Sequence, residues 1–281
     1  MTAMKSIVAA VLGGIGLTVL NGIVAAVFPL PAMPTAPHIL WWALASNILI
    51  AGAFVPAIAR STWSNASTAV AVWAVLFGVN GFNSLIEAVV FNILGNRTTA
   101  YVLFAMSVLV TALFAPALTV LSRKLVPPAK TRRQPALPRG LPVRILACSA
   151  LYVITYFVAG MLIYPYIQSF YSQRPLPSPL PLIALQFCVR GPIFTGSILL
   201  FAWMIAASRW TTPLACGAML AVVAGVAPLL VPNPFFPDAI RYAHMIEVTS
   251  SNFVFGALAA MIVTTGAGPA VRVEPSQIAI S

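Results

Sequence analysis

The hydrophobic pattern of this chain consists of long apolar runs separated by short polar or proline-rich segments. The runs lie at about 5–28, 39–59, 66–92, 100–122, 144–166, 180–207, 212–231 and 243–264. An α-helix needs roughly 20 apolar residues to cross the hydrocarbon core of a bilayer. Because backbone polar groups in lipid must bond within the protein, we expect every run to be helical. The pattern predicts an all-α integral membrane protein, a bundle of about eight transmembrane helices.

The composition agrees with lipid as the solvent of these runs. The chain is 60% hydrophobic and only 7% charged, whereas soluble domains carry about 25% charged residues. Lys and Arg number 15 against 4 Asp and Glu, an excess that elsewhere suggests nucleic acid. Here the basic residues lie between apolar runs, as topology signals do. We therefore expect the lipid bilayer as a partner and no nucleic acid.

The same basic residues predict the orientation of the chain. With both termini in the cytoplasm, eleven basic residues fall on the cytoplasmic side and three, Arg97, Arg174 and Arg241, on the outer side. This asymmetry follows the positive-inside rule. Aromatic residues such as Tyr164 and Tyr171 mark the outer interface. We expect a multi-pass protein of the cytoplasmic (inner) membrane.

A basic, proline-rich segment at 123–143 divides the chain near its middle. Seven basic residues lie between Arg123 and Arg144, and such a segment has too few apolar residues for a core of its own. The predicted organisation is a first four-helix half at 1–122, this cytoplasmic linker, a second four-helix half at 144–266 and a cytoplasmic tail at 267–281.

Short stretches recur in the same order in the two halves, which suggests an internal repeat. Gly22–Pro29 resembles Gly160–Pro165, Pro29–Pro31 resembles Pro175–Pro177, Ala59–Trp63 resembles Ser208–Thr212, and Ile86–Asn92 matches Ile246–Asn252 at three positions. Copies with an even number of helices face the same way, as in parallel-repeat transporters. The last match resists this scheme because it joins the third span of one half to the fourth span of the other. We predict two similar four-helix halves in parallel orientation.

Three ionisable residues, Glu87, Arg190 and Glu247, lie well inside the apolar runs. A charge at the bilayer centre costs about 2.5–3.5 kcal/mol on insertion scales, so such residues usually face the bundle interior and find a partner. The predicted topology places all three in the outer half of the bilayer. We expect them to meet there, with Arg190 as counter-charge and the glutamates as proton or cation carriers.

Two polar stripes accompany the glutamates. Asn80, Asn83 and Glu87 have the spacing of one helical face, and His244, Glu247 and Ser251 repeat that spacing. The candidate solute- or ion-binding residues are Glu87, Glu247, Arg190, His244, Asn80, Asn83, Ser251 and Asn252. The Gly191–Pro192 step directly after Arg190 predicts a kink or break in the sixth span. Glycines 13, 14 and 16 in the first span favour close helix packing.

Catalytic and metal chemistry find little support in the sequence. His244 and Glu247 supply two ligands on one helical face, whereas a zinc site needs at least three. The three cysteines are scattered through apolar runs and form no ligand set. We expect no metal and no cofactor, and we assign no catalytic residue.

The leading functional hypothesis is that the protein moves a small solute or ion through the outer polar cluster. Coupling of this movement to a proton is part of the hypothesis. One alternative is a membrane-embedded enzyme acting on a lipid or isoprenoid substrate, with Glu247 and His244 as acid and base. Another is a non-catalytic assembly or sensory subunit whose polar residues only hold helices together, at about 0.6 kcal/mol a contact. Whether the chain forms a homo-oligomer stays open.

The membrane assignment predicts the behaviour of the chain on fractionation. Because lipid must surround the apolar runs, we expect all of the protein in the membrane pellet after a high-salt wash, and in solution only after detergent is added. Immunoblotting of the fractions measures this. Recovery of the chain in the detergent-free supernatant would contradict the assignment.

Overall fold

The computed structural model describes residues 2–28, 36, 38–94, 97–126, 132–133, 137–172, 177–205, 207–233, 236–265 and 272–273. In this part of the chain eight helices are long and apolar enough to cross a membrane. They are α1 (Thr2–Val27), α2 (Ile39–Arg60), α3 (Asn65–Val90), α4 (Arg97–Leu125), α5 (Leu141–Tyr171), α6 (Pro179–Ile205), α7 (Thr211–Leu230) and α8 (Asp238–Thr264). The prediction of an all-helical, multi-pass membrane protein with eight spans is confirmed.

The segments between the helices carry little further structure. Arg132–Arg133 (β1) pairs antiparallel with Arg272–Val273 (β2), so the predicted linker and tail touch through two residues each. α4 and α5 both extend into the predicted linker. Residues 127–131 and 134–136 of the linker, and all of the tail 267–281 except 272–273, lie outside the described residues. So do the proline motif at 29–31 and the first two residues of its counterpart at 175–177.

Polar caps set the start of two helices at the same end of the bundle. The Ser64 hydroxyl accepts a hydrogen bond from the Ser67 backbone N–H at 3.1 Å, at the start of α3. The Ser208 hydroxyl accepts one from the Thr211 N–H at 3.1 Å, at the start of α7. A side-chain oxygen in this position satisfies an N–H group that has no partner inside the helix. Both helices are thus preceded by a serine that accepts from the N–H three residues on, although this serine is the N-cap of α3 and lies two residues before the N-cap Trp210 of α7.

The helices form a central group of four with two flanking pairs. α2 and α3 each pack against both α6 and α7, and these contacts join the two halves. α1 and α4 pack on the outside of the first half, whereas α5 and α8 pack on the outside of the second. Rings of Phe54, Phe194, Phe201 and Phe255 lie fully buried in the apolar core between them.

Glycine residues allow α1 to pack close to its neighbours. A Cβ atom at Gly14 would lie 2.6 Å from the Ile48 Cα, and one at Gly13 would lie 2.7 Å from the Leu118 Cδ1. Real Cβ atoms do not approach other heavy atoms this closely, so only glycine permits this crossing. At Gly16 nothing lies within 4 Å. The predicted packing role therefore holds for Gly13 and Gly14 but not for Gly16.

Three helices contain a turn of π-helix, at Phe77–Phe82 in α3, Gln186–Arg190 in α6 and Ala221–Val226 in α7. Such turns have i→i+5 hydrogen bonds and occur often at functional sites. In α6 the Gly191 N–H donates to the Gln186 carbonyl. The break expected at Gly191–Pro192 is thus a π turn within a continuous helix.

The π turn of α7 leaves one carbonyl group for α3. The Ala227 N–H donates to the Val222 carbonyl, and the next residue, Pro228, has no N–H to offer to Val223. The Val223 carbonyl instead accepts a hydrogen bond from the Asn80 side-chain amide at 2.9 Å. Asn80 lies in the π turn of α3, so the two irregular turns meet where the halves join.

Two arginines expected to act as loop charges bind backbone carbonyls instead. Arg123, at the end of α4, donates to the Trp63 carbonyl at 2.8 Å and closes the α2–α3 connection. Arg241 donates to the Leu229 carbonyl at 2.7 Å and to Asp238 at 2.9 Å, and only 1% of it is exposed. The loop position predicted for Arg241 is wrong, because α8 begins at Asp238 rather than at about 243.

A matched pair of alanine substitutions tests the packing of α1. In Gly14→Ala the new methyl group collides with the Ile48 backbone, and overpacking of this kind costs about 1–3 kcal/mol. We expect a lower melting temperature in detergent. Gly16→Ala on the same helix adds a methyl group in open space, so its melting temperature should equal or exceed that of the wild type. Equal melting temperatures for the two variants would contradict the α1–α2 crossing.

Candidate functional site

A cavity of about 620 Å³ lies at the end of the bundle where α3, α5 and α7 finish and α8 begins. Ligand sites typically measure about 300–1,000 Å³ and have apolar walls with a few placed polar groups. This cavity has that character, since aromatic side chains such as Tyr156, Phe157, Tyr164 and Phe236 form much of its wall. Two charged clusters, one on each side, supply its polar groups.

The first cluster is an ion pair between α6 and α3. The Arg190 Nη2 donates to the Glu87 Oε2 at 3.0 Å, and the Nη1 donates to the Gln186 Oε1 at 3.1 Å. Arg190 is only 5% exposed. The rings of Tyr152 and Tyr156 lie 5.6 and 5.8 Å from its Cζ atom, within the range of cation–π attraction.

The π turn of α6 and the length of α3 bring these groups together. Arg190 is the last residue of that π turn, and Glu87 lies near the end of α3. The Tyr156 hydroxyl donates to the Glu87 Oε1 at 3.2 Å. Both carboxylate oxygens of Glu87 therefore have protein donors, and the guanidinium neutralises its charge.

The second cluster is a chain of three polar groups on α8 and α5. The His244 Nδ1 lies 2.7 Å from the Glu247 Oε2, and the His244 Nε2 lies 2.9 Å from the Tyr171 hydroxyl. Because a carboxylate only accepts hydrogen bonds, the proton on Nδ1 belongs to the bond with Glu247. Nε2 then accepts from Tyr171 when the ring is neutral and donates to it when the ring is charged. This arrangement can hold or pass a proton.

The structure brings most of the predicted site residues to one cavity. Glu87, Arg190, His244, Glu247, Ser251 and Asn252 all line it. The two glutamates do not share Arg190, however, because Glu247 pairs with His244 on its own helix. The expected meeting of the three charges is therefore a common cavity with two separate pairs.

Asn80 and Asn83 do not line this cavity. Asn80 bonds to the Val223 carbonyl, and Asn83 is fully buried, with no hydrogen-bond partner for its amide among the described residues. Asn80 lies in the π turn at Phe77–Phe82, which changes its rotation relative to Glu87, whereas Asn83 and Glu87 share the regular α-helical segment that follows. A period of 3.6 residues assumes an unbroken α-helix.

Sequence reasoning missed the tyrosines of both clusters. Tyr156 bonds to Glu87 and Tyr171 to His244, and Tyr152 lies against Arg190. Tyr171 was assigned to the membrane interface on its position alone. A useful signal was the spacing of Tyr152 and Tyr156, four residues apart on one face of α5, where two hydroxyl groups need partners inside an apolar helix.

Metal-ligand groups are sparse in the part of the chain that the structure describes. No three His, Cys, Asp or Glu side chains there lie close enough together to hold a metal ion. Cys148 and Cys216 are buried, whereas Cys188 is exposed. Cys188 lies in the π turn of α6.

Comparisons with known proteins do not assign a function to this cavity. No protein-family model, no curated protein and no solved structure matches the chain. The residues of the cavity are therefore the basis for the proposed function.

A pair of substitutions tests the ion pair. Glu87→Gln leaves the Arg190 charge buried without its carboxylate, and removing one partner of a buried pair costs about 3–5 kcal/mol. We expect less folded protein and a lower melting temperature, measured by size-exclusion thermostability in detergent. The double variant Glu87→Leu/Arg190→Met replaces the pair with apolar groups and should recover most of the loss.

The double variant also serves as the control for this experiment. If Glu87→Gln alone melts at the wild-type temperature, the guanidinium does not depend on Glu87. If the double variant is as unstable as the single one, the loss comes from something other than an unpaired charge.

Proposed function

We propose that this protein is a membrane carrier that moves a small solute or ion through the cavity, coupled to a proton. The observation that carries the proposal is that two separate clusters, each with one glutamate, line one cavity of about 620 Å³ within the span region. Charged groups inside membrane spans commonly mark solute paths or proton relays. The chain from Tyr171 through His244 to Glu247 is such a relay.

The packing of the helices supports this reading, because it is consistent with two related halves. Exchanging α1 with α5, α2 with α6, α3 with α7 and α4 with α8 leaves the main helix contacts in place. α3 and α7, which correspond in this exchange, also share the serine hydrogen bond at their start and the π turn. We infer a duplication of four helices around an axis along the membrane normal, as in parallel-repeat transporters.

One of the recurring sequence stretches does not fit this exchange. Ile86–Asn92 lies at the end of α3, but Ile246–Asn252 lies in α8, whose counterpart is α4. The similarity of these two stretches is therefore no argument for the repeat.

The predicted orientation places the cavity in the outer half of the bilayer. The cavity lies at the end where α3, α5 and α7 finish, whereas the basic linker follows α4 at the opposite end. If the linker lies on the cytoplasmic side of the membrane, the cavity faces the outer side. Solute would then enter the cavity from the outer side or leave it to that side. The cytoplasmic part of the path would open between the two four-helix halves.

An embedded enzyme is the second candidate, and one specific observation favours it. His244 and Glu247 lie 2.7 Å apart beside an apolar cavity, as an acid–base pair for a lipid or isoprenoid substrate would. Asn80 illustrates the third view, a subunit whose polar residues only join helices. These candidates differ in what they require, since a carrier needs two compartments and an enzyme does not.

Sealed vesicles test the carrier. Purified protein is reconstituted into liposomes that contain a pH-sensitive dye, and panels of organic cations, metal cations, amino acids, sugars and organic anions are added outside. We expect at least one class to cause protein-dependent proton movement. Glu247→Gln, which removes the exchangeable charge from the relay, should reduce that movement at least tenfold while the folded amount stays within a factor of two.

Ser250→Ala is the matched control, because Ser250 is exposed on the same helix and donates only to the backbone carbonyls of Ile246 and Glu247, not to the Glu247 carboxylate. It should transport like the wild type. Absence of proton movement with every class would refute the carrier. Loss of folded protein in Glu247→Gln together with loss of function would favour the structural role, and product formation in detergent that stops in His244→Ala would favour the enzyme.

A further inference from the structure

We propose that the cavity binds an organic cation with an apolar body, and that one proton leaves the His244–Glu247 pair when the cation enters. The inference names a substrate class for the carrier and rests on that proposed function only for the movement across the membrane. Three features support the binding step: the geometry of Glu247, the walls of the cavity and the balance of charge.

Both carboxylate oxygens of Glu87 already have a protein donor, although 33% of this side chain is exposed. Its Oε1 accepts from the Tyr156 hydroxyl and its Oε2 accepts from Arg190. The pair as a whole is neutral, so it neither attracts nor repels a charged solute strongly. Arg190 in turn directs its two Nη atoms to Gln186 and Glu87, so its charge is already neutralised by Glu87, while its buried Nε has no hydrogen-bond partner among the described residues. The two glutamates thus have different roles.

Glu247 offers one carboxylate oxygen to the cavity. Its Oε2 bonds to His244, whereas none of the described side chains donates to its Oε1. The closest heavy atom to an ideal Cβ at Gly160, on α5, is this Oε1, at 3.8 Å. Because Gly160 has no side chain, the space between α5 and α8 at this point stays open. A cationic group placed there would face a carboxylate oxygen without displacing any protein donor.

The walls around this position suit the rest of such a molecule. Phe91, Tyr156, Phe157, Tyr164 and Phe236 line the cavity. Aromatic faces attract cations, most strongly where water is excluded, and they also bind apolar groups. Small metal cations would find too few oxygen ligands here, since calcium takes six to eight and magnesium keeps near-octahedral geometry. The walls therefore favour an organic cation of moderate size.

Charge balance explains why a proton should leave. An empty cavity with an unpaired negative charge on Glu247 is costly in an apolar environment, and a charged His244 ring would neutralise it. A bound cation takes over that task, so the ring loses its proton. One positive charge enters as one leaves, and the net charge of the site stays the same. The Nε2 atom, which faces Tyr171, is the point from which the proton departs.

Other ionisable groups face this pair from the helices around it. They are Glu87 on α3, Tyr152, Tyr156, Tyr164 and Tyr171 on α5, and Arg190 on α6, while the described cavity residues of α7 include none. Of these, Glu87 and Arg190 neutralise each other. His244 and Glu247 are therefore the groups whose protonation a bound cation would change.

The probe for the experiment is tetraphenylphosphonium, a permanent cation with an apolar surface that carries no exchangeable proton. Wild-type protein in a weakly buffered detergent solution is titrated with it in a calorimeter, and proton release is followed with a pH indicator. We expect saturable binding with about one proton released per cation bound, and affinity that weakens as the pH falls. Tetraphenylborate, which has similar size and opposite charge, should bind at least tenfold more weakly.

Two variants locate the binding site. Glu247→Gln should weaken cation binding at least tenfold and abolish proton release, because the free carboxylate oxygen is gone. Gly160→Leu should weaken binding similarly by filling the space next to that oxygen, with Glu247 and His244 left intact. Ser250→Ala should bind like the wild type. Gly160→Leu keeps the test decisive if Glu247→Gln fails to fold.

Several results would overturn the inference. They are equal binding of the two probes, unchanged binding in Gly160→Leu, and cation binding with no proton released. Failure of this inference is separable from failure of the carrier. Proton movement in liposomes with a different solute class and no cation binding would leave the carrier standing, whereas cation binding with proton release but no movement in liposomes would leave the site standing and refute the carrier.

Discussion

A buried guanidinium in a helix that crosses lipid is the constraint around which one side of this molecule is arranged. Arg190 is 5% exposed, and neither lipid nor water can serve its charge at that position. Glu87 supplies the opposite charge, Gln186 accepts a second hydrogen bond from the guanidinium, the Tyr156 hydroxyl donates to Glu87, and the rings of α5 cover the cation. The wall of the cavity is thus a consequence of satisfying one charge.

Backbone hydrogen bonding imposes the second constraint, because every freed carbonyl in a membrane span needs a donor. Pro228 removes the donor for Val223, and Asn80 replaces it from the other half of the bundle. Arg241 serves the last carbonyls of α7 in the same way. Asn80, a possible ligand by sequence, and Arg241, a topology charge by sequence, thus satisfy backbone carbonyls of a neighbouring helix.

The two clusters illustrate how the same residue type takes different roles within one cavity. Each oxygen of Glu87 has one protein donor, whereas the Oε1 of Glu247 has none among the described side chains and faces the space left by Gly160. The difference comes from the neighbours and not from the glutamates themselves. In the proposed carrier, the neutral pair would hold the helices and the Glu247 carboxylate would exchange one positive charge for another.

The sequence by itself determined the number of helices, their approximate ends and the residues worth examining, because insertion into lipid depends on local apolar length and on the rarity of charge. It also identified Glu87, Arg190, His244 and Glu247 as buried polar groups in need of partners. The partners themselves were decided by the tertiary structure. The π turns change the direction of side chains along α3 and α6, and the approach of α5 to α8 depends on contacts far apart in the chain. Helical periodicity contains neither effect, so Tyr156, Tyr171 and the open space at Gly160 emerged only from the folded bundle.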